Sequence, residues 1–439
     1  MTWIGLLLVT AAVSASTPAD SAPRPISLEE AVTLAQRNAP AIIQAEGQKR
    51  TSDAGVRAAY AAFLPSLSVS AGASRQIPTR RGQTIGQDGQ VLTYSSAPSA
   101  PWTLSAGLGA SMDLFTGGAR FFDLRQSRAQ AAGATANLVI QRFGATLAVK
   151  QQFFGVLAAR ESEAAARAQF DQATQQLKTS VLRLQQRVVT RSDSLRSEIQ
   201  VHNARLAVLQ ARTTLDLAEA QLTRAVGVPY PVTAAADDSL DRSGLAVEDE
   251  TLRGLALDGP AVQQANSVLQ AARAALRGAW TSYLPTVSAS YSRSGNGAAT
   301  DLTLSTEGYS YLGSLRLSLS LPIFQRLQRV QQVAQAQAAV QNAEAALRDA
   351  RLAALESLTQ SLGSFHAAEE RSATQSATVG AAEEDLREQQ EKYQIGAATI
   401  LDVLTSQTTL DQARHDLIQA RYDQRVAKAQ LEALIGRSL

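Results

Sequence analysis

The segment YAAFLPSLSVS at 60–70 returns as WTSYLPTVSAS at 280–290, 220 positions later, and Pro40 has its counterpart in Pro260 at the same spacing. Further on, Asp193 stands 34 positions before Gly227 and Asp402 stands 34 before Gly436, an offset of 209 that Phe115 and Phe324 share. The 439-residue chain therefore reads as one topology written twice, at 26–227 and 251–439, joined by a linker at 228–250. The 11-residue difference between the two offsets falls in the connection after Pro65 and Pro285, outside the packed part.

Two textures alternate within each copy. No proline occurs from 102 to 228 or from 323 to 439, and both stretches are rich in Ala, Leu, Gln, Arg and Glu, which favour helix. Long helices are expected near 119–187, 192–226, 325–394 and 400–435. Leu195, Ile199, His202, Leu206, Leu209, Thr213 and Leu217 recur every three or four positions, a coiled-coil-like stripe. The second texture has period two. Leu67, Val69, Ala71 and Ala73 alternate with Ser66, Ser68, Ser70 and Gly72, and the same alternation runs through Trp102–Leu114, Val287–Tyr291 and Leu315–Leu321. Four strands are expected, near 66–76, 102–114, 286–294 and 311–321, joined by polar loops at 76–101 and 292–310. The fold class is thus mainly α with a small β part.

Residues 3–15 form an apolar run ending in Val13-Ser14-Ala15. It is too short to span a bilayer and fits a signal peptide at 1–15 followed by a Pro/Ala/Ser linker at 16–25, although no Lys or Arg precedes it. A net charge of +2 argues against a nucleic-acid partner. The absence of cysteine excludes disulfides, thiolate-bound zinc and cysteine nucleophiles, and His202, His366 and His415 are far apart. No phosphate-binding, zincin or serine-hydrolase motif occurs, and the glycines of Ser105–Gly109 sit inside an alternating strand. The chain is not expected to be an enzyme, and no metal or cofactor is implied.

Strand length, alternation and long polar loops match membrane-spanning β-strands, or equally a half-exposed soluble sheet. In a membrane, four strands pose a closure problem. An open sheet edge cannot face lipid, and the smallest membrane barrels have about eight strands. A dimer would supply eight and a trimer twelve, and spacing alone does not choose.

The chain resembles the TolC-like outer-membrane efflux protein (outer membrane factor) family from Ile26 to Gly436. The residues that carry the resemblance are ISLEEAVTLAQRNAP at 26–40, AYAAFLPSLSVSAG at 59–72, MDLFTGG at 112–118, YQIGAATILDVL at 393–404, Gln407 and the Leu434-Ile435-Gly436 ending. The resemblance implies a homotrimer sharing a 12-stranded β-barrel in the outer membrane, with long helices forming an α-barrel in the periplasm. It implies a passive conduit of a tripartite efflux or type I secretion system. Its partners would be a periplasmic membrane-fusion (adaptor) protein, an inner-membrane pump reached through the adaptor, and outer-membrane lipid. Ala398 and Thr405 stand where the family often has an arginine and a second acidic residue. The rivals are a periplasmic coiled-coil adaptor, which would not be duplicated, and a structural helical bundle without a pore, which would not need amphipathic strands.

Thr190-x-x-Asp193 and Thr399-x-x-Asp402 read as capping boxes that open the return helix of each hairpin. If both tips lie at the periplasmic mouth, a trimer presents six carboxylates around one axis, and Asp193 and Asp402 form a cation-favouring constriction. Tyr393 either hydrogen-bonds across the helix pair there or packs in a helix seam. The exposed tips are expected at Arg187, Val188, Val189 and Thr190, and at Gln394, Ile395, Gly396, Ala397 and Thr399, where the resemblance places adaptor docking. Phe115, Phe121, Phe122 and Phe324 near the strand–helix junctions, and Trp102, Tyr309 and Tyr311 at the other strand ends, suit either lipid-interface girdles or core packing.

Overall fold

The computed structural model describes residues 23–75, 82–85, 88, 90–94, 102–187, 189–235, 249–299 and 310–437. The expected signal peptide, most of the 16–25 linker, Val188, Tyr309 and positions 236–248 lie outside them. The elements run β1 (Arg24–Ile26), α1 (Leu28–Asn38), α2 (Pro40–Ala61), β2 (Ser66–Ser74), β3 (Gly82–Ile85), β4 (Val91–Tyr94), β5 (Trp102–Thr116), α3 (Ala119–Gln185), α4 (Arg191–Val226) and β6 (Val232–Ala234). The second half follows with α5 (Asp249–Leu257), α6 (Pro260–Trp280), a 3₁₀ turn, β7 (Thr286–Ala299), β8 (Ser310–Ser320), α7 (Gln328–Gln394) and α8 (Ile400–Ile435). The fold is mainly helical with a small sheet part. Helices α3 and α7 each have 67 residues, and α4 and α8 each have 36. No described helix is long and apolar enough to cross a membrane.

Contacts divide the chain into two compact units. One comprises 49–134 and 264–348 and carries a four-stranded antiparallel sheet in the order β2-β5-β7-β8. The registers Val69↔Leu108, Leu108↔Arg293 and Tyr291↔Leu315 put the alternating apolar residues of all four strands on one face. Much of that face is exposed, with Val69 82% exposed, Leu315 80% and Leu317 70%, while Leu104 of β5 is buried. The other face is lined with serines, whose hydroxyls pair across strands at Ser66–Ser111 (2.7 Å) and Ser292–Ser314 (2.8 Å). Among the described residues, β2 and β8 each pair on one side only.

Two segments expected as irregular contain strands. Positions 295–299 extend β7 past its expected end at 294: Gly295 and Asn296 are paired to both β5 and β8, and Gly297–Ala299 to β5. Composition alone argued for a loop, but a strand held from both sides overrides weak propensity. The 76–101 loop contains the β3–β4 hairpin. In the segment expected as a linker at 228–250, β6 pairs in parallel with β1 and buries Val232 and Ala234 completely.

The turn from β5 into α3 is shaped by Gly117 (φ 62°) and Gly118 (φ 90°). A Cβ on Gly117 would lie 2.8 Å from both Leu284 Cβ and the Thr281 carbonyl oxygen. At this junction Phe115 and Phe121 are exposed and Phe122 is half-buried, and Phe324, between β8 and α7, is exposed as well.

The second unit comprises the chain up to 48, 135–263 and 349–439. Ser27 caps α1 by accepting the Glu30 amide, so the chain enters the helix with Ile26 buried. The β1–β6 pair, α1, the middle of α3, the end of α4 and α8 share one core around Phe153, Val149, Leu222 and Val226. Helices α4 and α8 both end on a left-handed glycine, Gly227 (φ 74°) and Gly436 (φ 72°). The packing of α4 is one-sided. Ala204 and Leu222 are buried, but the expected stripe of Leu195, Ile199, Leu206, Leu209 and Leu217 is about half exposed along its length.

Candidate functional site

The candidate site is the pair of hairpin tips, α3–α4 and α7–α8, both in the second unit. Helix α7 ends in a Schellman motif. The Ala397 amide donates to the Lys392 carbonyl at 2.8 Å, the Gly396 amide donates to Tyr393 at 3.3 Å, and Gly396 sits at φ 78°. At the first tip the Arg187 amide donates to Leu184 at 2.9 Å, and Arg187 itself takes the left-handed conformation, φ 59°. A side chain there costs about 1–2 kcal/mol that glycine does not. Arg187→Gly is therefore expected to stabilise the protein by up to about 1 kcal/mol, and Gly396→Ala to destabilise it by about 1 kcal/mol. Urea midpoints of the two variants check both signs.

Each return helix opens on a complete capping box. Thr190 Oγ1 accepts the Asp193 amide at 3.2 Å, while Asp193 Oδ2 accepts from the Thr190 amide at 3.0 Å and from its hydroxyl at 2.7 Å. The Thr399–Asp402 pair repeats this at 3.3, 2.8 and 2.7 Å. The hydroxyl and amide of Thr399 hold the exposed Asp402 carboxyl below its ordinary pKa, so it remains ionised. Each carboxylate is bound to its own threonine, and its remaining oxygen, Oδ1, is left to other partners. Ile395 is 81% exposed, Arg187, Thr190, Gly396, Ala397 and Thr399 are exposed, and Val189 and Asp193 are half-buried. Thr405 donates to the Leu401 carbonyl at 2.9 Å and holds its hydroxyl against its own helix.

Tyr393 does not hydrogen-bond across the helix pair. Its phenol oxygen is buried with no partner among the described residues. The ring packs against the cluster of Leu386, Val403 and Leu410, with the Arg183 guanidinium 5.0 Å above it. Arg183 also donates to the Tyr393 carbonyl at 3.5 Å. Tyr393 is therefore a seam residue joining α3 to α7.

Behind the tips lies a polar layer that the motifs did not indicate. Gln172 Nε2 donates to Gln407 Oε1 at 2.5 Å, Gln169 donates to Asp411 at 2.6 Å, and Gln407 donates to Asp411 at 3.0 Å. These bonds tie α3 to α8 around a cavity of about 30 Å³, room for one water, into which Gln176 and Ser197 also face. Burial pushes the Asp411 carboxyl above its ordinary pKa, against the opposing pull of Gln407, Arg414 and Gln169. The one available signal was the i,i+4 spacing of Gln407 and Asp411 on a helix face that also carries Val403 and Leu410. No group of three or more His, Asp or Glu among the described residues is arranged to hold a metal.

The outer membrane efflux protein family model matches residues 31–228 and 254–437. Protein CyaE of Bordetella pertussis is 29% identical over 75% of this chain, and outer membrane protein TolC of Escherichia coli K12 is 27% identical over 65%. The matches span 66% and 59% of those proteins' own lengths. Among solved structures, the open-state outer membrane channel MtrE of Neisseria gonorrhoeae superposes with a TM-score of 0.76, covering 94% of this chain and 89% of MtrE at 18% identity, a likeness of fold. The mainly helical fold with its small sheet, the glycine-capped return helices and a family match over most of the chain lead to one conclusion: this chain belongs to the outer membrane efflux protein family.

Proposed function

We propose that the protein is the outer-membrane channel of a tripartite efflux or type I secretion system, a passive homotrimeric conduit in a Gram-negative bacterium. The observation that carries this reading is the four-stranded sheet with a largely exposed apolar face and, among the described residues, two unpaired edges. In lipid, β2 and β8 need partners, and the β8 and β2 edges of neighbouring copies provide them. Three copies close a 12-stranded barrel with leucines toward lipid and serines toward the lumen. The exposed stripe on α4 would pack against an adjacent copy in the same assembly, extending the conduit as an α-barrel.

The internal two-fold repeat belongs to this reading. Eight described residues have positive φ, and they fall into four pairs 209 positions apart: Gly117/Arg326, Gly118/Leu327, Arg187/Gly396 and Gly227/Gly436. The same backbone turn recurs even where the glycine has not. This supports two copies of one topology, 26–227 and 251–439.

The tips are the periplasmic end. Asp193, Asp402 and the Tyr393 seam form the constriction. Arg187 through Thr190, with Ile395, Gly396, Ala397 and Thr399, receive the adaptor, which connects to the inner-membrane pump. With Ala398 and Thr405 in place of charged groups, the two aspartates supply the ring charge. Each Asp spends one oxygen on its cap and presents the other to the pore.

Two experiments test this. In the naturally cysteine-free chain, cysteines at Val69 and Leu315, on the two edge strands, should yield covalent dimers and trimers on oxidation. A chain that stays monomeric in detergent would end the proposal. In planar bilayers, Asp193→Ala with Asp402→Ala should raise conductance and weaken cation preference. Unchanged single-channel behaviour would remove the two aspartates from the gate and leave the conduit standing.

A further inference from the structure

Where the chain leaves the sheet for a long helix, an arginine closes the connection. Arg120, the second residue of α3, donates to the Asp113 carbonyl near the end of β5 and to the Ala62 carbonyl at 3.0 Å. Its guanidinium carbon lies 5.0 Å from the centre of the Phe63 ring. Arg329, the second residue of α7, donates to the Pro322 carbonyl just past β8 and, from Nε, to Gln325 Oε1 at 3.1 Å. Its guanidinium carbon lies 5.3 Å from the centre of the Tyr283 ring. Both arginines reach back seven positions. Each ring belongs to the segment that enters the strand paired with the one just left, β2 with β5 and β7 with β8. Strand end, helix start and incoming segment therefore meet at one guanidinium, and both joints lie within the same compact unit.

The two joints differ in backbone strain. The β5–α3 joint turns on Gly117 and Gly118, which take left-handed angles without steric cost. The β8–α7 joint makes the same turn with Arg326 (φ 48°) and Leu327 (φ 63°). A side chain disfavours that conformation roughly 5- to 30-fold at each position. Both side chains are exposed, Leu327 at 68%, so burial does not offset the strain. Strain of this kind persists where surrounding contacts over-determine the backbone. The contacts of Arg329 are those that span the strained pair, from Pro322 to the first turn of α7. Arg329 is only 8% exposed, and among the described residues a carbonyl, an amide oxygen and a ring face receive it, with no carboxylate. Burying a cation in this way is itself costly, so its position is not one that a solvent-facing arginine would adopt by default.

We infer that Arg329 is a latch: its contacts hold the strained β8–α7 turn closed, so this joint is poised to open, whereas the glycine-built β5–α3 joint is at rest. Opening frees the first turn of α7 from the strand end and leaves the sheet paired. The bonds it breaks are those of the Gln328 amide to the Gln325 carbonyl at 3.0 Å and of the Gln331 amide to the Leu327 carbonyl at 3.1 Å. Arg329 acts here as a positioning residue. The inference goes beyond the channel reading and does not depend on it, because every group in the joint belongs to one polypeptide.

Amide hydrogen exchange of the full-length protein in maltoside micelles, read by mass spectrometry and corrected for sequence, tests the latch. Arg329→Gln should lower protection across 326–333 by about tenfold. Adding Arg326→Gly and Leu327→Gly to that variant should restore about fivefold. The glycine pair alone should protect the segment better than in the unaltered protein. Arg120→Gln should leave 117–124 better protected than Arg329→Gln leaves 326–333. Exchange around Phe153, in the other unit, should not change. Unchanged protection in Arg329→Gln would show that nothing is latched. No gain from the glycine pair, or equal protection of the two joints after loss of their arginines, would show that the turn stores no strain. A uniform loss that includes the Phe153 core would make Arg329 an ordinary part of the fold. Each of these results overturns the inference. Failure of the channel reading looks different: the unaltered chain would be monomeric in micelles, with the exchange pattern of the joint still as expected.

Discussion

Replacing Leu317 by lysine is expected to abolish assembly of the protein into membranes. Leu317 lies in the middle of the exposed leucine row of β8, between Leu315 and Leu319, and is 70% exposed. A lysine on the lipid side of a barrel costs about 2–4 kcal/mol near the midplane, and a trimer carries three. On a sheet that faces water, the same change at so exposed a site would be nearly neutral. The neighbouring residue supplies the control. Ser318 pairs with Ser288 on the opposite face, so Ser318→Lys places its charge on the serine face and should leave assembly intact. The measurement is the fraction of protein that reaches a heat-resistant oligomer on refolding into lipid vesicles. Equal yields from the two lysine variants would mean that neither face meets lipid.

Period two was legible in the sequence because alternation is written residue by residue, and it placed the apolar and serine faces. Proline-free runs marked the helices for a similar reason: a single proline would break them. What lies inside the long helices was not legible. Alanine and leucine are spread around α3 and α7 with no clear one-sided stripe, so no face stands out as buried. The α4 stripe was visible as a pattern, yet a pattern does not say what covers it, and within the chain it stays exposed. The left-handed turns were hidden by their residues. Gly117-Gly118 signals one, but Arg326 (φ 48°) and Leu327 (φ 63°) adopt the same conformation without any glycine. The capping boxes were written locally and could be read. The Gln169–Asp411 and Gln172–Gln407 bonds join residues more than 200 positions apart, which no local spacing discloses.

Phe153→Ala is expected to cost about 3–5 kcal/mol, because it empties the centre of the core shared by α3, α4, α8 and the β1–β6 pair. Phe153 is fully buried, and its ring meets Phe154 edge-on with centroids 6.2 Å apart. Phe154 in turn lies 6.3 Å from Tyr422, whose hydroxyl donates to Glu161 at 2.6 Å. Truncating Phe153 therefore also removes the support for this aromatic–carboxylate chain. The cost falls within one polypeptide, so the loss of stability should not depend on protein concentration. Leu206→Ala with Leu209→Ala provides the contrast. Both side chains are more than half exposed in the protomer, so their loss should barely alter its folding. If the α4 stripe packs against a second copy, the double variant should dissociate on dilution while each chain stays folded. Chemical denaturation at two protein concentrations, followed by far-ultraviolet circular dichroism and by light scattering, separates the two effects. A concentration-dependent loss in Phe153→Ala, or none in the α4 variant, would mean that the folding core and the assembly surface had been assigned to the wrong residues.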